Sequence, residues 1–404
     1  MIEQLDVLLE ESYGEMVSIR RYLHQYPELS FHETKTAAFI AEFYRKLGID
    51  VRTNVGGNGV VAKIYGSKPG KTIALRADFD GLPIQDEKEV PYKSTVPGVM
   101  HACGHDGHTA TLLVLAKTLY ALKDELEGEY VFIHQHAEEY APGGAKPMIE
   151  AGCLNGVDVI FGTHLWATVP TGTIQYAYGP LMAAADRFEI LVQGQGGHGA
   201  QPHNTRDAIV TASQLVVALQ QIVSRRINPL DSAVITIGSF VADNAFNVIA
   251  DKAKIVGTVR TFKEGVRSFI REEIERVVKG ICLSADCTYD YQFHQGYPAV
   301  VTHEEETRFL IDCTSSIKEV QFLEEVEPNM TGEDFSYYLQ NVKGTFFFTG
   351  AQPRKDPTYP HHHPLFDFDE RAMLIAAKTL GNAAITYHKK KQPHQEQDTI
   401  MNKG

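Results

Sequence analysis

Cysteine, positive charge and long apolar runs are all scarce in this chain, and each scarcity removes a class of protein. The five cysteines, at 103, 153, 282, 287 and 313, are an odd and scattered set in 404 residues. They form no disulfide framework and fit a reducing compartment; Cys282 and Cys287 read most simply as helix and strand core. No stretch approaches the ~18 consecutive apolar residues of a membrane-spanning helix. Met1-Ile2-Glu3-Gln4-Leu5-Asp6 has neither the basic nor the apolar region of a signal peptide, so a cytoplasmic protein is expected. Lys and Arg number 38 against 51 Asp and Glu, a net charge of −13. That balance argues against nucleic acid and anionic membrane surfaces as partners and favours small-molecule chemistry. Internal repeats and low-complexity segments are absent too.

The remaining composition, 43% hydrophobic and 22% charged, is that of a globular protein. The length exceeds the ~250–300 residues at which a single core stops growing, so two domains are expected. Leu5, Leu8, Leu9, Met16, Ile19 and Leu23 recur at helical spacing, and a further helix starts at Thr36 beyond the break at Tyr26-Pro27-Glu28-Leu29. Strands over 60–64, 72–77, 130–136 and 157–162 then alternate with helices over 109–124 and around 147–150, which predicts an α/β domain with a covered sheet. From about 186 the order becomes β-α-β-β-α-β, the ferredoxin-like pattern of a compact α+β insert. A helix over 304–317, a strand over 345–349 and a helix over 369–388 resume the first character. The expected division is a discontinuous domain of 1–185 and 298–404 interrupted by 186–297. The polar tail from Lys389 onward is expected to fray.

The stretch Met100-His101-Ala102-Cys103-Gly104-His105-Asp106-Gly107-His108 is where chemistry concentrates. Cys103 and His105 lie two apart, so an extended backbone would send both side chains to one side, toward one metal ion. Asp106 also reads as the N-cap of the following helix, which explains the Asp but not the Cys and three His. A structural zinc knuckle needs a second nearby Cys, and there is none. Asp78 and Asp80 close one strand, where a solvated turn would explain them equally well; Glu138 and Glu139 follow another, and because adjacent carboxylates point apart, one can bind metal while the other acts as a general base. His164, at its own expected strand end, and His362, in Pro360-His361-His362-His363-Pro364, add imidazoles. Strand ends on one sheet edge form a crevice where such scattered residues can meet.

Arg76-Ala77-Asp78-Phe79-Asp80-Gly81-Leu82-Pro83, His101-Ala102-Cys103-Gly104-His105-Asp106, Ala137-Glu138-Glu139, Gly162-Thr163-His164, Gly197-His198-Gly199, Gly332-Glu333-Asp334-Phe335 and His362-His363-Pro364 together resemble the aminoacylase-like metallopeptidases. The nearest branch is the amidohydrolases that include hippurate hydrolases, N-acetyl-diaminopimelate deacetylases and auxin-conjugate hydrolases. The resemblance runs in consistent order from Arg21 to Glu370. It implies a metallopeptidase-type catalytic domain with an inserted lid and dimerisation domain, two divalent ions per subunit (Zn, Mn, Co or Ni), and hydrolysis of N-acyl amino acids, with a metallo-dipeptidase or carboxypeptidase activity as the alternative. It also implies that Cys103, His105, Glu139, His164 and His362 are the metal ligands, that Glu138 is the general base, and that Asp80 orients a ligand. His198 would reach from a partner subunit to the oxyanion, while Asn247 and Arg260 would hold the substrate carboxylate, although a plain strand charge also explains Arg260. His136 departs from the branch, which often has Pro there.

Two other classes compete. Gly194-Gln195-Gly196-Gly197-His198-Gly199 satisfies the glycine spacing of a dinucleotide-binding oxidoreductase, but Pro202-His203-Asn204 intervene before the helix that should open at the glycines. A metal-bound but catalytically silent binding protein is the other, and the intact Glu138 speaks against it.

Overall fold

Residues 1–354 and 357–390 are described by the structure, a computed structural model; the tail expected to fray lies, from Lys391, outside the described residues. The amino-terminal helical stretch divides into three helices, α1 (Ile2–Glu11), α2 (Tyr13–Gln25) and α3 (Thr34–Leu47). Met16, Ile19 and Leu23 face inward from α2, as their spacing predicts. Gly48 ends α3 at φ 74, a left-handed turn suited to glycine.

Next come β1 (Asp50–Val55), β2 (Gly59–Tyr65), β3 (Lys68–Asp78), α4 (His105–Ala121), β4 (Glu127–Gln135), α5 (Ala145–Glu150), β5 (Val159–Pro170) and β6 (Thr173–Tyr176). The eight-stranded mixed sheet runs β1-β2-β4-β3-β5, then Gly344–Gln352, β6 and Phe322–Glu325. At its centre β3 lies parallel to both β4 and β5, and β5 parallel to Gly344–Gln352. Sequence reading missed β1, an edge strand in which only Val55 is fully buried, so it carries no apolar signal. Helix α4 is buried along nearly its whole length and packs in one core with α1, β3 and the helix Arg371–Thr386. Its apolar surround explains why no amphipathic stripe marks it.

The chain separates into two compact units, with Pro180–Val301 and Glu327–Ser336 forming the second. In that unit the strands Ala184–Gln193, Ala233–Val241, Lys252–Thr261 and Thr288–His294 make an antiparallel sheet with the last at one edge and Ala233–Val241 at the other. Two helices, Ala208–Gln221 and Glu264–Ser284, share its core. The β-α-β-β-α-β order is thus present. The boundaries differ from the expected 186–297 because Met182 bridges Asn329 and Ala183 N–H donates to Asn329 and Thr331, drawing in a segment distant in sequence.

Candidate metal centre

The parallel strands β3 and β4 end side by side, Phe79 N–H donating to Gln135 O, and the carboxylates follow directly. Asp80 is buried; its Oδ2 accepts from Ser30 Oγ at 2.7 Å and from Glu139 N–H at 3.0 Å. His105 Nδ1 lies 3.2 Å from Asp80 Oδ1 and 3.0 Å from Asp80 O. A proton on Nδ1 serves both oxygens, leaving the lone pair on Nε2, and that nitrogen is buried with no hydrogen-bond partner among the described residues. When the ring carries a single proton, this contact keeps it on Nδ1 and leaves Nε2 to face the other side chains of the site.

After β4, Ala137 adopts φ 52 and turns the chain so that Glu138 and Glu139 follow. Its N–H donates to Glu33 Oε1 at 2.8 Å and its carbonyl accepts from Gly144 N–H at 3.1 Å. Sequence reading did not anticipate Glu33, because its role exists only through these long-range partners. Burial raises its carboxyl to about 7, against the pull of Asn58 and backbone N–H groups. His136, the departure from the branch, is buried and packs edge-on against Phe31.

Cys103 and His105 meet through a different backbone from the expected extended one. Gly104 takes φ 96 as the N-cap of α4, and His105 is the first helical residue. The left-handed glycine, rather than strand alternation, brings the two side chains to one side. Asp106 is therefore not the N-cap. It is fully buried, accepting from Arg20 Nε at 2.9 Å and paired with His24 Nδ1 at 2.8 Å. Arg20, itself buried, also reaches Asp367 at 2.8 Å and Glu370 at 3.2 Å, so the start of α4 is anchored to α2 and to the carboxy-terminal segment.

His164 is not at a strand end but inside β5. Pairing of β5 with β3 stops at Arg76 opposite Gly162, so the edge exists on the β3 side only. Its Nε2 lies 3.3 Å from Cys103 Sγ. His362, at φ 65, is tied by its N–H to Ala102 O and places Nε2 3.2 Å from Glu139 Oε1. That oxygen is 3.8 Å from His105 Nε2. Ligand atoms of Cys103, His105 and Glu139 all lie within 4.8 Å of one another, as do those of Cys103, His164 and His361. Five expected ligands therefore converge, and His361, which sequence reading passed over beside His362, joins them.

The electrostatics suit a cation. Burial, with Glu139, Glu138 and Asp78 nearby, pushes the Cys103 thiol well above its ordinary value. Burial alone would lower His105, yet Asp78, Asp80 and Glu139 raise it to about 10. Among these carboxylates the Cys103 thiol and the His105 ring hold on to their protons, and divalent ions would displace them, leaving a thiolate and a free lone pair on His105. Thiolate, imidazole and carboxylate together make a donor set for divalent metal ions.

The other expected residues belong to the inserted unit. Gly197–His198 pairs with Val248–Ile249, and Gly199 N–H donates to Asn247 O at 2.8 Å. Exposed His198 accepts from Ala200 N–H on Nδ1 at 3.0 Å, which leaves Nε2 as a donor. Arg260 is half-buried on Lys252–Thr261, donates to Thr258 Oγ1 and to Val259 O, and makes no ion pair among the described residues. The glycine run does not open a helix: the helix Ala208–Gln221 begins beyond it, its N-terminus already capped by Asp207. With an antiparallel sheet besides, the dinucleotide fingerprint is not formed.

Residues 74–386 match the profile of peptidase family M20/M25/M40. The candidate amidohydrolase YhaA of Bacillus subtilis (strain 168) is 62% identical over 387 residues, covering 96% of this chain and 98% of that protein. An N-acyl-L-amino acid amidohydrolase of Geobacillus stearothermophilus is 46% identical over 303 residues, 75% of this chain and 82% of its own. The solved structure of Bacillus subtilis YXEP, described as a dinuclear metal-binding peptidase of the M20 family, superposes with a TM-score of 0.82 at 34% identity, covering 95% of this chain and 99% of that one.

Proposed function

Because the chain belongs to peptidase family M20/M25/M40, we propose that it is a metal-dependent hydrolase that cleaves the amide bond of N-acyl amino acids, releasing a carboxylic acid and a free amino acid. The observation that carries this reading is the convergence of Cys103, His105, Glu139, His164 and His362, with the buried Glu138 next in the chain to Glu139. Those five residues would hold two divalent ions, of Zn, Mn, Co or Ni, whose chemistry is to polarise the amide carbonyl and to make water acidic near neutral pH.

Glu138 takes the proton of the attacking water and returns it to the leaving amine. Its burial keeps the carboxylate out of bulk water, so its proton passes to the substrate rather than to solvent. Asp80 holds His105 in the Nδ1–H tautomer. His198 supplies Nε2–H to the developing oxyanion, a task for which its Nδ1 bond to Ala200 selects the right tautomer. Arg260, which makes no ion pair among the described residues, and Asn247 receive the substrate's carboxylate. The inserted unit serves as lid and as dimerisation surface, and His198 acts across that dimer. The protein works in the cytoplasm.

A panel of N-acetyl, N-benzoyl and indole-acetyl amino acids beside simple dipeptides, assayed on protein of known metal content, tests the reading. Release of free amino acid from the acyl compounds, lost on chelation and restored by a divalent ion, is expected. Cleavage confined to dipeptides would replace this reading with a peptidase.

A further inference from the structure

His108 lies in the first turn of α4, three residues after His105, and the centre described above makes no use of it. It is buried, and both ring nitrogens are engaged. Leu165 N–H donates to Nε2 at 2.9 Å, which places the ring proton on Nδ1, 2.6 Å from Asp78 Oδ1. An imidazole so bonded has no lone pair left for an ion. Asp78 is held in turn: Arg76 donates to Oδ2 at 2.6 Å and Thr109 Oγ1 to the backbone carbonyl at 2.7 Å.

What His108 grips matters for the centre. Leu165 follows His164, and His164 Nδ1 donates to Leu165 O at 2.8 Å, leaving Nε2 directed at Cys103 Sγ. Strand β5 has already left β3 at Gly162, so no ladder on that side secures the backbone here. Helix α4 takes over: at Gly107 a Cβ would stand only 2.7 Å from Leu165 Cδ1, so the glycine admits the helix close enough for His108 to reach.

We propose that Asp78 and His108 form a brace that fixes the backbone at Leu165 and thereby aims His164 Nε2 into the metal centre, His108 being a positioning residue and not a ligand. The inference rests on the reading of Cys103 and His164 as metal ligands. Its consequence is selective. Loss of the brace loosens the metal that His164 holds and spares the one held without it.

The test uses the full chain, stripped of metal and titrated with Co(II) alone, read by chelator competition, by metals bound per chain and by the thiolate-to-cobalt absorption band. Wild type should bind two ions and show the band. His108→Ala should weaken one ion by about 10–100-fold, as loss of a partner behind a ligand does, with an altered cobalt spectrum and the second ion unaffected. His108→Gln, which returns an acceptor within reach of the Leu165 N–H, should recover affinity to within about threefold of wild type, on the scale of an ordinary hydrogen bond regained. Unchanged binding in His108→Ala, or a Gln variant as weak as the Ala variant, overturns the brace while the ligand reading stands. Wild type that binds no cobalt through thiolate overturns both. Should His108→Ala fail to fold in the metal-free state, His108→Phe, which keeps a ring but offers Leu165 N–H no acceptor, decides by the same titration: weakening at one ion supports the brace, and wild-type affinity at both overturns it.

Discussion

Single side chains carry the most direct expectations. Cys103→Ala and His105→Ala should each lower metal occupancy together with activity, as elemental analysis of the purified proteins would show; full metal content in either removes it from the ligand set. A second expectation concerns acid stability. His134 accepts from Tyr44 OH, and its burial pushes it down to about 3 from an ordinary 6.5. Above 6.5 both folded and unfolded chains hold it neutral. As pH falls from 6.5 toward 3, only the unfolded chain takes the proton, so stability is lost across that window, at up to about 1.4 kcal/mol per pH unit for one proton. Urea unfolding between pH 8 and 4 should show this slope, reduced in His134→Gln, which still offers Tyr44 an acceptor; an identical slope in the variant assigns the effect elsewhere. The types of residue in the centre were legible in the sequence because thiolate, imidazole and paired carboxylates have few other reasons to cluster. Glu33 and the Asp78–His108 pair were not, since each depends on a backbone N–H from a remote strand or turn.

At the level of elements, the turn from Ala137 to Gly144 decides whether the carboxylates are presented. A Cβ on Gly144 would lie 1.9 Å from His136 O, a backbone atom that cannot swing away. Gly144→Ala should therefore cost about 1–3 kcal/mol or more, as overpacking does, and lower metal affinity as well, by displacing Glu139. Thermal unfolding and chelator competition check this, and a variant that melts like wild type shows the turn to be more pliant than its contacts suggest. The sequence revealed β3, β4 and β5 through their apolar runs, and the inserted unit through a change of rhythm. It did not reveal the exposed edge strand β1. Nor could it show that Gly104 reverses the chain between Cys103 and His105, because a glycine's left-handed φ is set by what the helix start must reach. The misplaced strand end at His164 has the same origin: apolar composition marks a strand, but not where one of its two neighbours stops.

For the whole molecule, the proposal that His198 acts across a dimer has its own consequence. A His198 variant and a Glu138 variant should each be nearly inactive, yet a mixed dimer of the two contains one site with both groups intact. After subunit exchange, verified by tagging, about half the dimers are mixed and about a quarter of wild-type activity should return; verified exchange without recovery confines His198 to its own chain or to no role. Two compact units, one gathering the candidate ligands and the other carrying His198, Asn247 and Arg260, give this proposal its form. The central claim, that Glu138 serves as base beside ions held by its neighbours, is tested most directly by Glu138→Gln. Turnover of an N-acetyl amino acid by the wild-type and variant proteins is to be measured alongside metals bound per chain. The account predicts a fall of about 10²–10⁴-fold in turnover with two metals retained; near-normal turnover at full metal content would contradict it.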